Sequence, residues 1–138
     1  MSAEKNKALV CEWVEEGWVK KNLAAAEKYY DAEYVLHLPG FPEIRGPGEG
    51  RQVIGGLQEA FPDVTVELDE DSMVADAERV AVRFVCSGTH KAEFTGVPAT
   101  GKHVSWEGMS IFRIAGGKFV EEWELLDAAG LMHQLTAD

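Results

Sequence analysis

The sequence has few cysteines and no long apolar run. Its two cysteines, Cys11 and Cys86, are far apart, and neither belongs to a Cys/His cluster with the spacing of a zinc site. We therefore expect buried free thiols rather than a disulfide framework or a metal centre. No stretch approaches the roughly 20 apolar residues of a membrane span, and the N-terminus lacks the apolar core of a signal peptide. These absences predict a cytoplasmic protein without a membrane anchor.

Basic residues are also scarce. The chain has 13 lysines and arginines against 24 acidic residues, a formal net charge of -11. Such a charge repels nucleic acid and anionic membranes, so neither is expected as a partner. The four histidines show no H-E-x-x-H spacing, and the glycines of "GPGEG" lack the strand-then-helix context of a phosphate loop. The sequence therefore predicts no metal, nucleotide or flavin cofactor.

Apolar periodicity predicts one domain over residues 1–138, with helices first and strands after them. We expect an amphipathic helix from near Ser2 to near Lys20, and a shorter helix through "LAAAEKYY" with Asn22 as its N-cap. The segment "PGFPEIRGPGEGR" is predicted to be a loop, and "GRQVIGGLQEAF" a third helix. Asp127 is placed to cap a last helix, "AAGLMHQL".

The predicted strands begin with "AEYVLHLPG", which lies between the second and third helices. After the third helix come "VTVELDE", "SMVADAE", "RVAVRFVCSGTH", "KAEFTG", "KHVSWEGMSIFRI" and "KFVEEWELL". Helices followed by hairpin-linked strands indicate an α+β fold, with the helices packed on one face of a bent antiparallel sheet.

The last of these strands carries three glutamates. Strict alternation places Phe119, Glu121, Trp123 and Leu125 on one face and Val120, Glu122, Glu124 and Leu126 on the other. The simplest interpretation puts the Phe/Trp/Leu face in the core and the two glutamates of the other face in solvent. The alternative is that Glu122 and Glu124 face a cavity that needs a base.

Three segments support the second interpretation: "EAFPDVTVELDE", "SGTHKAEFTGVPATGKHVSWEGMSIFRI" and "GGKFVEEWELLDAAGLMHQL". In order and spacing they resemble the SnoaL-like polyketide cyclases, also called ester cyclases, of the NTF2-like superfamily. The resemblance implies a cone, in which a strongly curved mixed or antiparallel sheet wraps around N-terminal helices and encloses a small-molecule cavity. It also implies that Glu124 and Glu122 point inward, while Trp123 lies on the outer side, where such folds pair as homodimers.

The resemblance also carries a reaction. The known cyclases use an Asp as general acid/base at the position matching Glu124, and a His at the position where this sequence has Ser110. It implies intramolecular aldol ring closure on a polyketide-like ester, a hydrophobic small molecule, without a cofactor. An isomerase, dehydratase or epoxide hydrolase in the same cone, or a non-catalytic small-molecule-binding dimer, remain alternatives.

The candidate residues each have a structural alternative. Catalytic candidates are Glu124, Glu122 and His90, which could instead be solvated glutamates and a hydrogen-bonded histidine at a strand end. The candidates for substrate binding could instead be plain core or surface: His37, Tyr30, Tyr34, Phe41, Trp106, Ser110 and Phe112.

Overall fold

The computed structural model describes residues 2–138. Helix α1, Ala3–Trp13, begins where the Ser2 hydroxyl accepts a hydrogen bond from the Lys5 amide, and it continues as one π-helical turn, Val14–Val19. The helix predicted from near Ser2 to near Lys20 is confirmed. Among the residues that the structure describes, no helix is both long and apolar enough to cross a bilayer.

In the part of the chain that the structure describes, three further α-helices follow α1. A 3₁₀ turn at Leu23–Ala25 leads into α2, Ala26–Tyr29; later come α3, Gly46–Ala60, and α4, Ala128–Thr136. The capping prediction at Asn22 is wrong, because its side-chain amide donates to Glu16 Oε1, 2.8 Å away, instead of accepting from the helix. The prediction at Asp127 is confirmed, since its carboxylate accepts from the Gly130 amide at 2.9 Å.

Two segments differ from their predicted structure. The expected loop "PGFPEIRGPGEGR" contains a short strand, and α3 begins at Gly46, whose φ of +75° turns the chain from strand to helix. Pro47 is tolerated there because the first helical turn needs no amide hydrogen. The expected strand "KAEFTG" is wrong: it forms only a single bridge between Phe94 and Val97, around a turn in which Thr95 has a positive φ.

Within residues 2–138, seven strands form one sheet. They are β1, Tyr30–His37; β2, Ile44–Arg45; β3, Thr65–Leu68; β4, Val74–Ala75; β5, Arg79–Thr89; β6, His103–Ala115; and β7, Lys118–Leu126. Their order is β2-β1-β7-β6-β5-β3, and β4 also pairs with β5. The β1–β7 pair is parallel and the others are antiparallel, so the sheet is curved and mixed rather than wholly antiparallel. The α+β class is confirmed.

The two faces of this sheet differ in burial. Along β6 the exposed and buried residues alternate, and the buried set comprises Val104, Trp106, Gly108, Ser110, Phe112 and Ile114. We call this the inner face. Val10 and Trp13 of α1 and Ile54 of α3 pack against it in the main apolar cluster. The opposite face, which we call the outer face, carries the other β6 side chains and is largely open to solvent.

A β-bulge in β7 changes the predicted alternation. Glu121 pairs with Arg113, but the next pair along β6 is Ile114 with Phe119, so Val120 is an extra residue. Phe119 is therefore fully buried on the inner face together with Glu122 and Glu124. The prediction that put Phe119 on the face of Trp123 and Leu125 is wrong, because one extra residue inverts the alternation before it.

The two cysteines are both free thiols, as predicted. Cys86 of β5 is buried, whereas Cys11 of α1 is only half-buried, with its Sγ donating to Glu70 Oε1 at 3.3 Å. The expectation of burial is therefore confirmed for Cys86 and wrong for Cys11, because the side of α1 that carries Cys11 meets the polar turn after β3.

Candidate active site

Two carboxyl groups meet on the inner face near the end of β7. Glu122 pairs across the strands with Phe112, and Glu124 pairs with Ser110. The Ser110 hydroxyl lies 3.1 Å from Glu122 Oε2 and 3.1 Å from Glu124 Oε1. The Tyr34 hydroxyl, from β1, donates to Glu122 Oε1 at 2.7 Å. Three strands thus hold one polar cluster inside an apolar surround.

Burial perturbs both carboxyl groups. It raises the pKa of Glu122 from 4.5 to about 8, and the charge of Glu124 adds to the shift, while hydrogen bonds from Tyr34 and Ser110 oppose it. Burial also raises the pKa of Glu124, against hydrogen bonds from Ser110 and Glu122. Glu122 is 5% exposed, whereas Glu124 is half-buried. Burial therefore favours the neutral form of both carboxyl groups, and a negative charge on either one disfavours ionisation of the other.

The surroundings supply no counter-charge. Among residues 2–138, no lysine, arginine or histidine forms an ion pair with Glu122 or Glu124. The titratable groups facing the pair are Tyr30, Tyr34 and Cys86, and burial raises the pKa of each of them. Within the same residues, no group of three or more His, Cys, Asp or Glu side chains is arranged to hold a metal ion.

His37 lies on the other side of the sheet. Its ring stacks on Trp123 with centroids 5.5 Å apart, and its Nε2 is 2.7 Å from Glu121 Oε2. Arg113 also donates to Glu121, and these two bonds hold the pKa of Glu121 below its usual range. The structure therefore separates His37 from the inner-face carboxyl groups, because its β1 position shares a face with Trp123.

His90 is also remote from the pair. It follows β5 and is fully buried, with its ring stacked on Phe61 and its Nδ1 accepting from the Thr100 amide at 3.2 Å. Glu124 adjoins Ser110, which pairs with Val82 of β5. The separation of eight positions between Val82 and His90 corresponds to roughly 25 Å of extended strand. Contrary to the expectation from sequence, His90 does not join the two glutamates.

The remaining aromatic candidates divide by position. Tyr30 and Phe112 lie near the pair, where their rings pack on Phe119. Trp106 lies further along β6, against Phe61 in a second apolar cluster. Phe41 is 60% exposed and lies beside the outer face. Tyr34 was expected only as a candidate for substrate binding, and nothing in the sequence links it to Glu122, which follows it by 88 residues.

A separate pocket of about 560 Å³ opens on the outer face. Its apolar lining includes Met109, Ile111, Trp123, Leu125 and Phe41. Ser110 and Glu124 also border this pocket, although their hydroxyl and carboxyl groups meet Glu122 in the inner-face cluster. Glu122 is absent from the lining, so the pocket does not contain the carboxyl pair.

Comparison with known proteins places the chain in a family. Residues 8–135 match the family model of the SnoaL-like polyketide cyclases. The aklanonic acid methyl ester cyclase DauD of Streptomyces sp. (strain C5) is 30% identical over 111 residues, which cover 75% of this chain and 68% of DauD.

Solved structures agree with this match. AclR of Streptomyces galilaeus, a candidate hydroxylase, superposes with a TM-score of 0.85 at 31% identity, covering 97% of each chain. IdmH of Streptomyces antibioticus, a candidate polyketide cyclase, has a TM-score of 0.79 at 27% identity, covering 93% of this chain and 96% of its own. The resemblance noted from the sequence is therefore confirmed: the chain belongs to the SnoaL-like polyketide cyclase family.

Proposed function

We propose that this protein closes a ring in a polyketide-like ester by an intramolecular aldol reaction, with Glu124 as the general acid/base. Membership of the cyclase family supports the reaction class, and the cyclase DauD supports an ester of a polyketide acid as the substrate class. The observation that carries the assignment to Glu124 is its position: a half-buried carboxyl group on the inner face, hydrogen-bonded to Ser110 beside the buried carboxyl group of Glu122.

The proposed chemistry needs a single group that both takes and returns a proton. Glu124 removes a proton from a carbon flanked by carbonyl groups, and the resulting enolate attacks a ketone carbon of the same molecule. The new carbon–carbon bond leaves an alkoxide, which takes the proton back from Glu124. A carboxylate with an ordinary pKa is a weak base for this step, so the raised pKa of Glu124 favours it.

The test uses two substrates and three variants. Aklanonic acid methyl ester is followed for ring closure by mass spectrometry and absorbance, and a simple 1,3-dicarbonyl ester is followed for deuterium exchange at its acidic carbon. Glu124→Gln keeps the shape and should lower both rates by roughly 10²- to 10⁴-fold. Glu121→Gln, on the outer face, is the matched control and should retain both rates.

A third variant, Leu126→Ala, checks the path to the site. Leu126 lies on the inner face beyond Glu124, where its side chain approaches Gly108 of β6. Shortening it should change the Michaelis constant for the large ester more than that for the small one, because only the large ester extends past Glu124. Full activity of Glu124→Gln on both substrates would reject the assignment.

Isomerisation, dehydration and epoxide opening use the same type of group. They are distinguished by products, since only an aldol closure keeps the mass of the substrate while forming a new ring and a hydroxyl group. Epoxide opening adds the mass of one water. A purified protein that binds the ester with no chemical change, in wild type and variants alike, would support the non-catalytic alternative.

We further propose that two copies of the chain pair through the outer face. Met109, Ile111, Trp123 and Leu125 lie side by side there on neighbouring strands, and Leu125 is 65% exposed. A contiguous apolar surface of this kind usually marks an interface, and a sheet face is readily self-complementary about a two-fold axis. A second copy fits this surface because its four side chains are apolar and the neighbouring Glu121 is already paired with Arg113.

A further inference from the structure

The contacts of Ser110 impose a condition on the two carboxyl groups. A serine hydroxyl carries one hydrogen, yet its oxygen lies 3.1 Å from an oxygen of Glu122 and 3.1 Å from an oxygen of Glu124. Two anionic carboxylates would compete for that hydrogen. Both contacts become good hydrogen bonds if one carboxyl group is protonated. That group then donates to Ser110 Oγ, and the Ser110 hydroxyl donates to the other carboxylate.

The burial and contacts identify the protonated partner. Glu122 is buried and its Oε1 already accepts from Tyr34, which leaves Oε2 as the oxygen facing Ser110. Glu124 is the half-buried member of the pair. Its carboxylate anion is stabilised by the hydrogen bond that the Ser110 hydroxyl donates. The order of hydrogen bonds is then Tyr34 to Glu122, Glu122 to Ser110, and Ser110 to Glu124.

We propose that Glu122, held by Tyr34 and Ser110, is a positioning residue that keeps one proton beside Glu124, so that Glu124 enters the reaction as the anion. This inference rests on the proposed role of Glu124. Its consequence is that deprotonation of Glu122, and not of Glu124, ends activity at high pH. A second buried negative charge beside Glu124 repels the enolate and alkoxide that form during ring closure.

The resting proton can be measured without any substrate. Infrared spectroscopy of the unliganded protein should show the C=O stretch of a protonated carboxyl at neutral pH, which fades as the pH rises through about 8. Glu122→Gln should abolish this band, whereas Glu121→Gln should leave it. A wild-type spectrum without the band, or a band that survives Glu122→Gln and disappears in Glu124→Gln, would overturn the proposal. These spectra do not depend on whether the protein is a cyclase.

Kinetics then test the consequence. In wild type, kcat should fall above about pH 8. In Glu122→Gln, the ratio of kcat at about pH 9 to kcat at about pH 7 should be several-fold higher than the same ratio in wild type. A descending limb that is unchanged in this variant refutes the role of Glu122.

A second variant covers the case in which Glu122→Gln does not fold. Tyr34→Phe removes a donor that lowers the pKa of Glu122, so the fading of the carboxyl band and the fall of kcat should both move to higher pH. A purely structural role for Tyr34 would lower activity at all pH values without moving either transition, and that result would count against the proposal.

Discussion

Replacing Glu122 by glutamine should make the protein more stable at alkaline pH. In the hydrogen-bond order inferred above, the oxygen of the new amide would accept from Tyr34 and its nitrogen would donate to Ser110, as the protonated carboxyl does. The substitution therefore preserves the contacts of the protonated state and removes only the ability to ionise. Glutamate and glutamine have nearly the same volume, so no cavity is formed.

The magnitude follows from the pKa. The folded state keeps the Glu122 proton up to about pH 8, while the unfolded chain loses it near the ordinary value of 4.5. Between these two pH values the unfolded chain releases the proton and the folded state does not, so the free energy of unfolding of wild type falls as the pH rises. Below the window both states are protonated and this loss of stability is absent. At about 1.4 kcal/mol per pH unit the limit is about 5 kcal/mol, and relaxation of the site should leave about 2–3 kcal/mol.

The assay is urea denaturation at about pH 5 and about pH 8, with the free energy of unfolding compared between wild type and variant. The free energy of unfolding of Glu122→Gln minus that of wild type should be about 2–3 kcal/mol larger at the higher pH than at the lower pH. Glu107→Gln is the control, because Glu107 is an exposed side chain on the outer face of β6, and it should follow wild type at both values. Equal stability differences at the two pH values would refute the buried, proton-holding Glu122.

Three other predictions concern separate parts of the molecule. Gly17→Ala should destabilise the fold by about 1–3 kcal/mol in thermal denaturation. The new Cβ would lie 2.5 Å from the ring of Trp13, which is 1% exposed and cannot move aside. The control Gly56→Ala, with open space around the new Cβ, should leave the stability unchanged. Light scattering at micromolar concentration should give the mass of a dimer, and Leu125→Asp should shift it to the monomer; a monomeric wild type contradicts the interface. Elemental analysis and an absorbance spectrum of the purified protein should show no stoichiometric metal and no flavin band, and either signal would contradict the expected chemistry of side chains alone.

Much of the fold could be predicted because it depends on local spacing. Apolar residues at helical intervals predicted α1, and runs of strand-forming residues bounded by turn signals predicted β5 and β6. The cap at Asp127 was predicted for the same reason, since a capping side chain contacts an amide only three residues away. Family-like spacing of whole segments, from Ala60 to Leu135, then identified the cone.

The site depended on contacts that no local pattern records. The bulge at Val120 is set by pairing with β6, and it moves Phe119 to the inner face. The parallel pairing of β1 with β7 brings Tyr34 to Glu122 across 88 positions of the chain. The same register directs His37 outward, and the length of β5 carries His90 away from Glu124. Spacing along a chain specifies which residues share a helix or strand face, but strand register and packing between distant segments determine which side chains meet.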